Sequence, residues 1–225
     1  MQTGLSQILR LQATSQMKGN LIIISSPSGG GKGTLIKEVL DSVPNLGYSV
    51  SYTTRDPRFG EEEGRHYHFV SREEFEEEVA SGGFLEYAEV HGNMYGTSAA
   101  VVEKIISQGR DVILEIDVQG ALAVMSKKPD AVSIFILPPS FEVLRARLIA
   151  RGTEDHDDLD LRLRNSVGEV LQYSRFRYVI INDEIFSAAR RLAAVVVAER
   201  QRTNRQTDPI YSILGSFGIA SPGTP

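Results

Sequence analysis

The segment Ser25–Thr34, SSPSGGGKGT, sits between an apolar run, Leu21–Ser25, and a helical pattern at about Gly33–Leu40. No other feature constrains the fold as strongly. Gly29, Gly30 and Gly31 permit positive φ, so successive N–H groups can turn inward as an anion-binding nest. The following helix adds its positive N-terminal end, and Lys32 reaches outer phosphates as a point charge. The pattern G-x-x-x-x-G-K-[ST] is met at Gly31-Lys32 and departs at both ends. Ser26, before Pro27 and Ser28, takes the first glycine position, and Gly33 follows the lysine with Thr34 one place later. The hydroxyl that usually touches Mg²⁺ is therefore about 100° further round the helix, and the metal is expected on phosphate oxygens and water. A glycine-rich turn with a chance lysine is the competing account; a strand before, a helix after and a lysine in register weigh against it.

Around this loop, short β-rich runs alternate with helical patterns, which predicts an α/β fold on a parallel sheet with flanking helices. Inner strands are expected at Arg110–Ile116, Val132–Leu137 and Tyr178–Ile181, and a further strand at Tyr48–Ser51. Helices are expected at Val118–Met125, Phe141–Ala150 and Ile185–Arg202. Residues 53–98 break the rhythm as a polar, acidic and aromatic insert holding a helix, Arg72–Ser81. Its glutamates, Glu61–Glu63 and those from Glu73 to Glu78, read as a solvated face. A second break, Phe141–Arg177, is dense in arginine: Arg145, Arg147, Arg151, Arg162, Arg164, Arg175 and Arg177. Such a hairpin suits a mobile cover over an anion, although ordinary salt bridges with Glu142, Asp158 and Asp160 explain it equally well. Residues 1–18 read as an extension, and 204–225, rich in Gly, Ser and Pro near the end, as a loosely ordered tail.

Charge narrows the function. With 24 Lys and Arg against 29 Asp and Glu the chain carries −5, so it lacks the general basic footprint of a nucleic-acid binder. An anion must be met by locally gathered cations or by backbone N–H groups. No apolar run approaches the ~20 residues of a membrane helix. The absence of cysteine excludes disulfides and thiolate chemistry and fits a reducing, cytoplasmic setting.

A series of motifs follows the loop in order: SYTTRDPR (51–58), GEEEGRHYHFV (60–70), FLEYAEVHGNMYGTS (84–98), ILEIDVQGA (113–121) and IFILPPS (134–140). Together, over residues 20–203, they resemble guanylate kinase. The resemblance implies a P-loop NTPase-type core (19–52, 99–140 and 167–203), a GMP-binding α+β insert (53–98) and a helical lid (141–166). It implies transfer of the γ-phosphoryl of ATP to GMP, and to dGMP, with Mg²⁺, in purine nucleotide metabolism. Ser26–Thr34 and Asn182 would hold ATP. Ser51, Arg55, Arg58, Tyr67, Glu86, Tyr95, Thr97, Glu115 and Asp117 would surround GMP. Arg147, Arg151 and Arg162 align with lid arginines that act on the migrating phosphoryl beside Lys32 and Arg55. Glu115 departs from the family, which usually carries aspartate there.

Each assignment makes chemical sense. Arg55 and Arg58, three apart with Pro57 stiffening the turn, suit a phosphate, and phenol O–H groups add donors without more charge. Guanine offers N1–H and N2–H₂ side by side to the Glu86 carboxylate, whereas adenine offers an acceptor at N1, a mismatch worth ~10⁴-fold discrimination. Either Glu115 or Asp117 would meet the guanine or ribose side while the other orders metal-bound water. A carboxylate capping the next helix is the plainer role for either. A phosphate nucleophile with a second pKa near ~6 is mostly dianionic at pH 7 and needs no general base. His66, His68, His91 and His156 therefore need no catalytic role. The partners expected are ATP and GMP, without nucleic acid or membrane, and the sequence allows a homodimer. The alternatives are a non-catalytic guanylate-kinase-like binding module, against which the retained Gly31-Lys32 and arginines count, and a kinase for another nucleotide such as AMP, against which Glu86, Tyr67 and Tyr95 count.

Overall fold

The computed structural model describes residues 18–90, 92–150 and 156–219, with all of their side chains except those of 156–160. Its strands in chain order are β1 Leu21–Ser25, β2 Leu46–Tyr48, β3 Tyr52–Thr53, β4 His68–Phe69, β5 Phe84–Val90, β6 Asn93–Ser98, β7 Asp111–Glu115, β8 Val132–Leu137 and β9 Tyr178–Ile181. The helices are α1 Lys32–Ser42, α2 Arg72–Ala80, α3 Ala99–Ser107, α4 Val118–Lys127, α5 Phe141–Ala150, α6 His156–Val170, α7 Ile185–Arg200 and α8 Thr207–Ser216.

Five strands form an all-parallel sheet in the order β2-β7-β1-β8-β9. The central strand β1 is buried along its whole length, as its LIIIS sequence demands of a strand covered on both faces. Alternate side chains serve opposite layers. Ile22 and Ile24 pack with Leu35, Val39, Leu192 and Val196 of α1 and α7, while Leu21 and Ile23 pack with Val102, Ile106 and Val124 of α3 and α4. The remaining strands form a second, mostly antiparallel sheet, β4-β3-β6-β5, with Phe75 of α2 buried against it.

The second strand of the parallel sheet begins earlier than its apolar pattern predicts, at Leu46 and not Tyr48. Asn45 takes a left-handed turn (φ 57°) and Leu46 then pairs with Asp111. Asp111 is itself anchored to the neighbouring elements: its buried carboxylate accepts from Asn20 N (2.6 Å) and Asn20 Nδ2 (3.0 Å), just before β1, and from Arg200 Nε (2.7 Å) of α7. Residues 207–216, expected in a loosely ordered tail, form helix α8. Its half-buried residues Thr207, Ile210, Tyr211 and Leu214 recur at helical spacing. Gln206 Nε2 donates to Arg200 O at 2.7 Å and ties its start to the end of α7.

Candidate active site

A cleft opens at the carboxyl ends of β1 and β7, between the parallel sheet and the smaller sheet. It is lined from Ser26 through Gly33 on one side and by Ser51, Arg55, Arg58, Tyr67, Glu86 and Tyr95 on the other. Glu115, Asp117, Arg162 and Glu169 complete the wall. Open α/β sheets present ligand sites at this edge.

On the loop side the wall is largely backbone. Gly29 and Gly31 have φ of 81° and 83°, a conformation that favours glycine. Gly31 has a second reason to lack a side chain, since a Cβ there would lie 2.3 Å from Asn182 Nδ2. Asn182, just past β9, donates to Gly30 O at 2.9 Å. Arg147 of α5 donates to Gly30 O at 3.4 Å and to Asn182 O at 2.9 Å. Both residues thus brace the outside of the loop. Leu144 and Leu148 of α5 lie against Gly29. Lys32 Nζ points back across the cleft, donating to Ile116 O at 3.2 Å with Glu115 Oε1 at 3.9 Å. Thr34 is exposed. Glu169 of α6, absent from the sequence-based set, accepts from Ser28 N at 3.0 Å.

On the far side the wall is made of side chains. Arg55 leaves β3 with its guanidinium over the Tyr67 ring (5.3 Å to the centroid), and its Nε donates to Tyr95 Oη at 3.3 Å. Its Nη1 and Nη2 each reach a different oxygen of Glu61, both at 3.0 Å. Glu61 is therefore no part of a solvated acidic face: it is mostly buried, and it also accepts from Arg58 N at 2.8 Å. Burial works against both charges, but the mutual bonds outweigh it, holding the Glu61 carboxyl below its usual range and raising the arginine's pKa. Composition alone hid this pair. The other glutamates of that run fit their expected setting, with Glu63 exposed while bonded to His68 and Phe69 N.

Glu86 occupies the inner end of this side, and a local irregularity puts it there. The β5–β6 register shifts between Phe84 and Glu86, a bulge that turns Leu85 and Glu86 both inward where strict alternation would expose one. Thr97 Oγ1 donates to Glu86 Oε1 at 2.6 Å. Gly120 of α4 makes the room, because a Cβ there would lie 2.6 Å from Glu86 Oε2. Burial drives the Glu86 pKa up to about 7, with nearby Asp117 pushing the same way against the Thr97 bond and Lys127. The carboxylate lines the cleft, hydrogen-bonded by Thr97 and acted on electrostatically by Lys127.

The two remaining acids separate. Asp117 caps α4, its Oδ1 accepting from Gly120 N at 2.7 Å. Glu115 ends β7 next to Lys32 and accepts from the Tyr48 hydroxyl at 3.1 Å. Burial first, and then Glu115, raises the Tyr48 pKa far above that of free phenol. The would-be Cβ of Gly33 lies 3.4 Å from Glu115 Oε1, so the acid fills the space beside the displaced hydroxyl. No cluster of three or more His, Cys, Asp or Glu suited to a metal occurs among the described residues. Of the other expected residues, Ser51 and Thr97 are buried at the inner end, Arg162 lines the cleft, and Arg151 lies outside the described residues. Gly120, Glu61, Glu169 and Tyr48 escaped the sequence reading.

Comparison with known proteins gives one consistent result. The family model described as guanylate kinase matches residues 18–199. A guanylate kinase of Neisseria meningitidis serogroup A is 50% identical over 197 residues, spanning 88% of this chain and 96% of that relative. One from Clostridium perfringens SM101 is 47% identical over 188 residues, spanning 84% and 87%. The crystal structure of guanylate kinase from Anaplasma phagocytophilum superposes with a TM-score of 0.74 at 35% identity, covering 90% of this chain and 97% of that one.

Proposed function

The chain belongs to the guanylate kinase family, and we propose that it transfers the γ-phosphoryl group of ATP in line to GMP, or dGMP, releasing ADP and GDP. The observation that carries this reading is the cleft with two unlike phosphate-facing walls and a buried carboxylate at its inner end. Backbone N–H groups of the glycine loop and Lys32 hold the donor's outer phosphates. Arg55 and Arg58, with the hydroxyls of Tyr67 and Tyr95, hold the acceptor's phosphate. Glu86, kept in place by Thr97, accepts from guanine N1–H and N2–H₂, and Ser51 and Asp117 flank it. Asn182 supports the donor loop, and through it the ATP site.

Phosphoryl transfer asks the protein for alignment and charge neutralisation. The attacking oxygen belongs to a phosphate that is already dianionic near neutral pH, so no side chain need take a proton. The difficulty is bringing two polyanions together, and Lys32, Arg55, Arg147, Arg151 and Arg162 are the cations that offset it. Residues 141–166 serve as a lid that shuts water out of the site. Mg²⁺, when bound, would supply further positive charge to offset the repulsion between the two nucleotides. Oxygen donors suit it, and the residues fit it as water-mediated ligands: Glu115 is the acid beside Lys32, whereas Asp117 is engaged in its helix cap.

The test is ADP formation from MgATP with GMP, dGMP, AMP, CMP, UMP and dTMP in parallel. GMP should be preferred over AMP by ~10⁴-fold in kcat/KM. Equal rates with AMP would remove the base-reading role of Glu86. No turnover with any acceptor, together with retained GMP binding, would indicate a binding module instead.

A further inference from the structure

The acceptor-side arginine is held by an acid that the phosphate clamp itself does not explain. A guanidinium has five N–H groups in one plane and offers a carboxylate or phosphate two different bidentate edges. In Arg55 the end-on edge, Nη1 and Nη2, is taken by the two oxygens of Glu61 at 3.0 Å each. The other Nη1 hydrogen is taken by Asp56 O at 2.6 Å. The side-on edge, Nε–H with the outer Nη2–H, is thereby turned toward Tyr95, whose hydroxyl receives Nε at 3.3 Å. Tyr95 lines the cleft. Glu61 also accepts from Arg58 N at 2.8 Å, and its own N–H donates to Arg58 O at 3.0 Å, closing the turn that carries the second arginine.

We propose that Glu61 is a positioning residue for the acceptor monophosphate: it occupies the end-on edge of Arg55 so that the side-on edge faces the phosphate, and it sets the turn that presents Arg58. This inference rests on the reading that Arg55 and Arg58 hold the phosphate of GMP. Without Glu61 the arginine side chain regains its rotamers, and each binding event must order it again. The carboxylate weakens neither base reading nor donor binding, because it touches neither Glu86 nor the glycine loop. Its effect falls on ligands that carry a phosphate.

The experiment compares GMP with guanosine, which has the base and ribose but no phosphate, by calorimetric titration of wild type, Glu61→Ala and Glu61→Gln. Glu61→Ala should weaken GMP about 10- to 100-fold, the range of a charge-assisted contact, while guanosine binding stays within about 2-fold. Glu61→Gln keeps one acceptor oxygen and should lose less. In steady state the change should appear in KM for GMP, with KM for ATP unmoved. Unchanged or tighter GMP binding in both variants would overturn the proposal, the latter by making Glu61 a competitor for Arg55. Equal losses for GMP and guanosine in Glu61→Gln would also overturn it, by making the role merely structural. If wild type binds GMP no better than guanosine, the clamp reading itself fails, whatever the variants do.

Discussion

The two walls of the cleft, to which the proposed reading assigns the donor and acceptor phosphates, are built from different parts of the chain. The donor wall is main chain: glycines at positive φ and the first turn of α1, braced from outside by Asn182 and Arg147. The acceptor wall is side chain: Arg55, Arg58, Tyr67 and Tyr95 projecting from a small sheet and its turns. A main-chain nest costs little to organise, because the fold has already fixed its N–H groups. A side-chain clamp must be ordered residue by residue, and here Glu61 and the Tyr67 ring do that ordering. Each wall also bears a carboxylate on its binding groups, Glu169 on Ser28 N and Glu61 on Arg55. The lesson is that the donor wall is vulnerable at glycines, and the acceptor wall at the neighbours of its arginines.

The sharpest way to break this contrast is at Lys32, the cation that opens α1 on the donor wall. Lys32→Ala should lower kcat about 10²- to 10³-fold, with the melting temperature nearly unchanged, since Lys32 packs into no core cluster. Normal turnover would mean that the main chain alone suffices. A smaller effect is expected where the donor wall lacks side chains. Gly31→Ala places a Cβ 2.3 Å from Asn182 Nδ2 at a φ of 83°, and should cost about 1–3 kcal/mol in chemical denaturation. The same substitution at Gly60, also at positive φ but with nothing within 4 Å, isolates the backbone part of that cost.

The smallest effect sharpens the acceptor side through pH. In the proposed reading guanine binding requires Glu86 ionised, and burial pushes its pKa up to about 7 in the free protein. Lowering pH from 8 to 6 should therefore loosen guanosine, which has no phosphate to titrate, about 10-fold. Glu86→Gln should flatten that dependence. Stability moves the other way. A carboxyl with a folded pKa above its unfolded value favours the native state most below the unfolded value, and that contribution fades as pH rises through about 7. Relative to Glu86→Gln, the unliganded wild type should thus lose melting temperature between pH 5 and 8.

What the sequence disclosed follows the same division. The donor loop was legible because its chemistry is local: glycines, a lysine, a strand before and a helix after, all within one continuous stretch. Residues of the acceptor wall were legible through family resemblance, since nothing in SYTTRDPR alone says what lies opposite it. Glu61 was hidden in an acidic run because its partner Arg55 is fixed by tertiary position. The inward turn of Glu86 depends on a bulge that alternation cannot foresee. Gly120 looks like an unfavourable helix residue until the carboxylate it makes room for is in view. Asp117 and Glu115, two apart, looked interchangeable; only the end of β7 and the start of α4 separate a helix cap from a neighbour of Lys32.

The bond between Asn182 and Gly30 joins residues 152 positions apart. During synthesis the glycine loop leaves the ribosome early, yet its outer brace is not translated until the last strand of the sheet has been made. A growing polypeptide that already contains the whole glycine loop therefore still lacks the brace that Asn182 supplies, and the donor grip proposed for that loop would arrive only with the far end of the sheet.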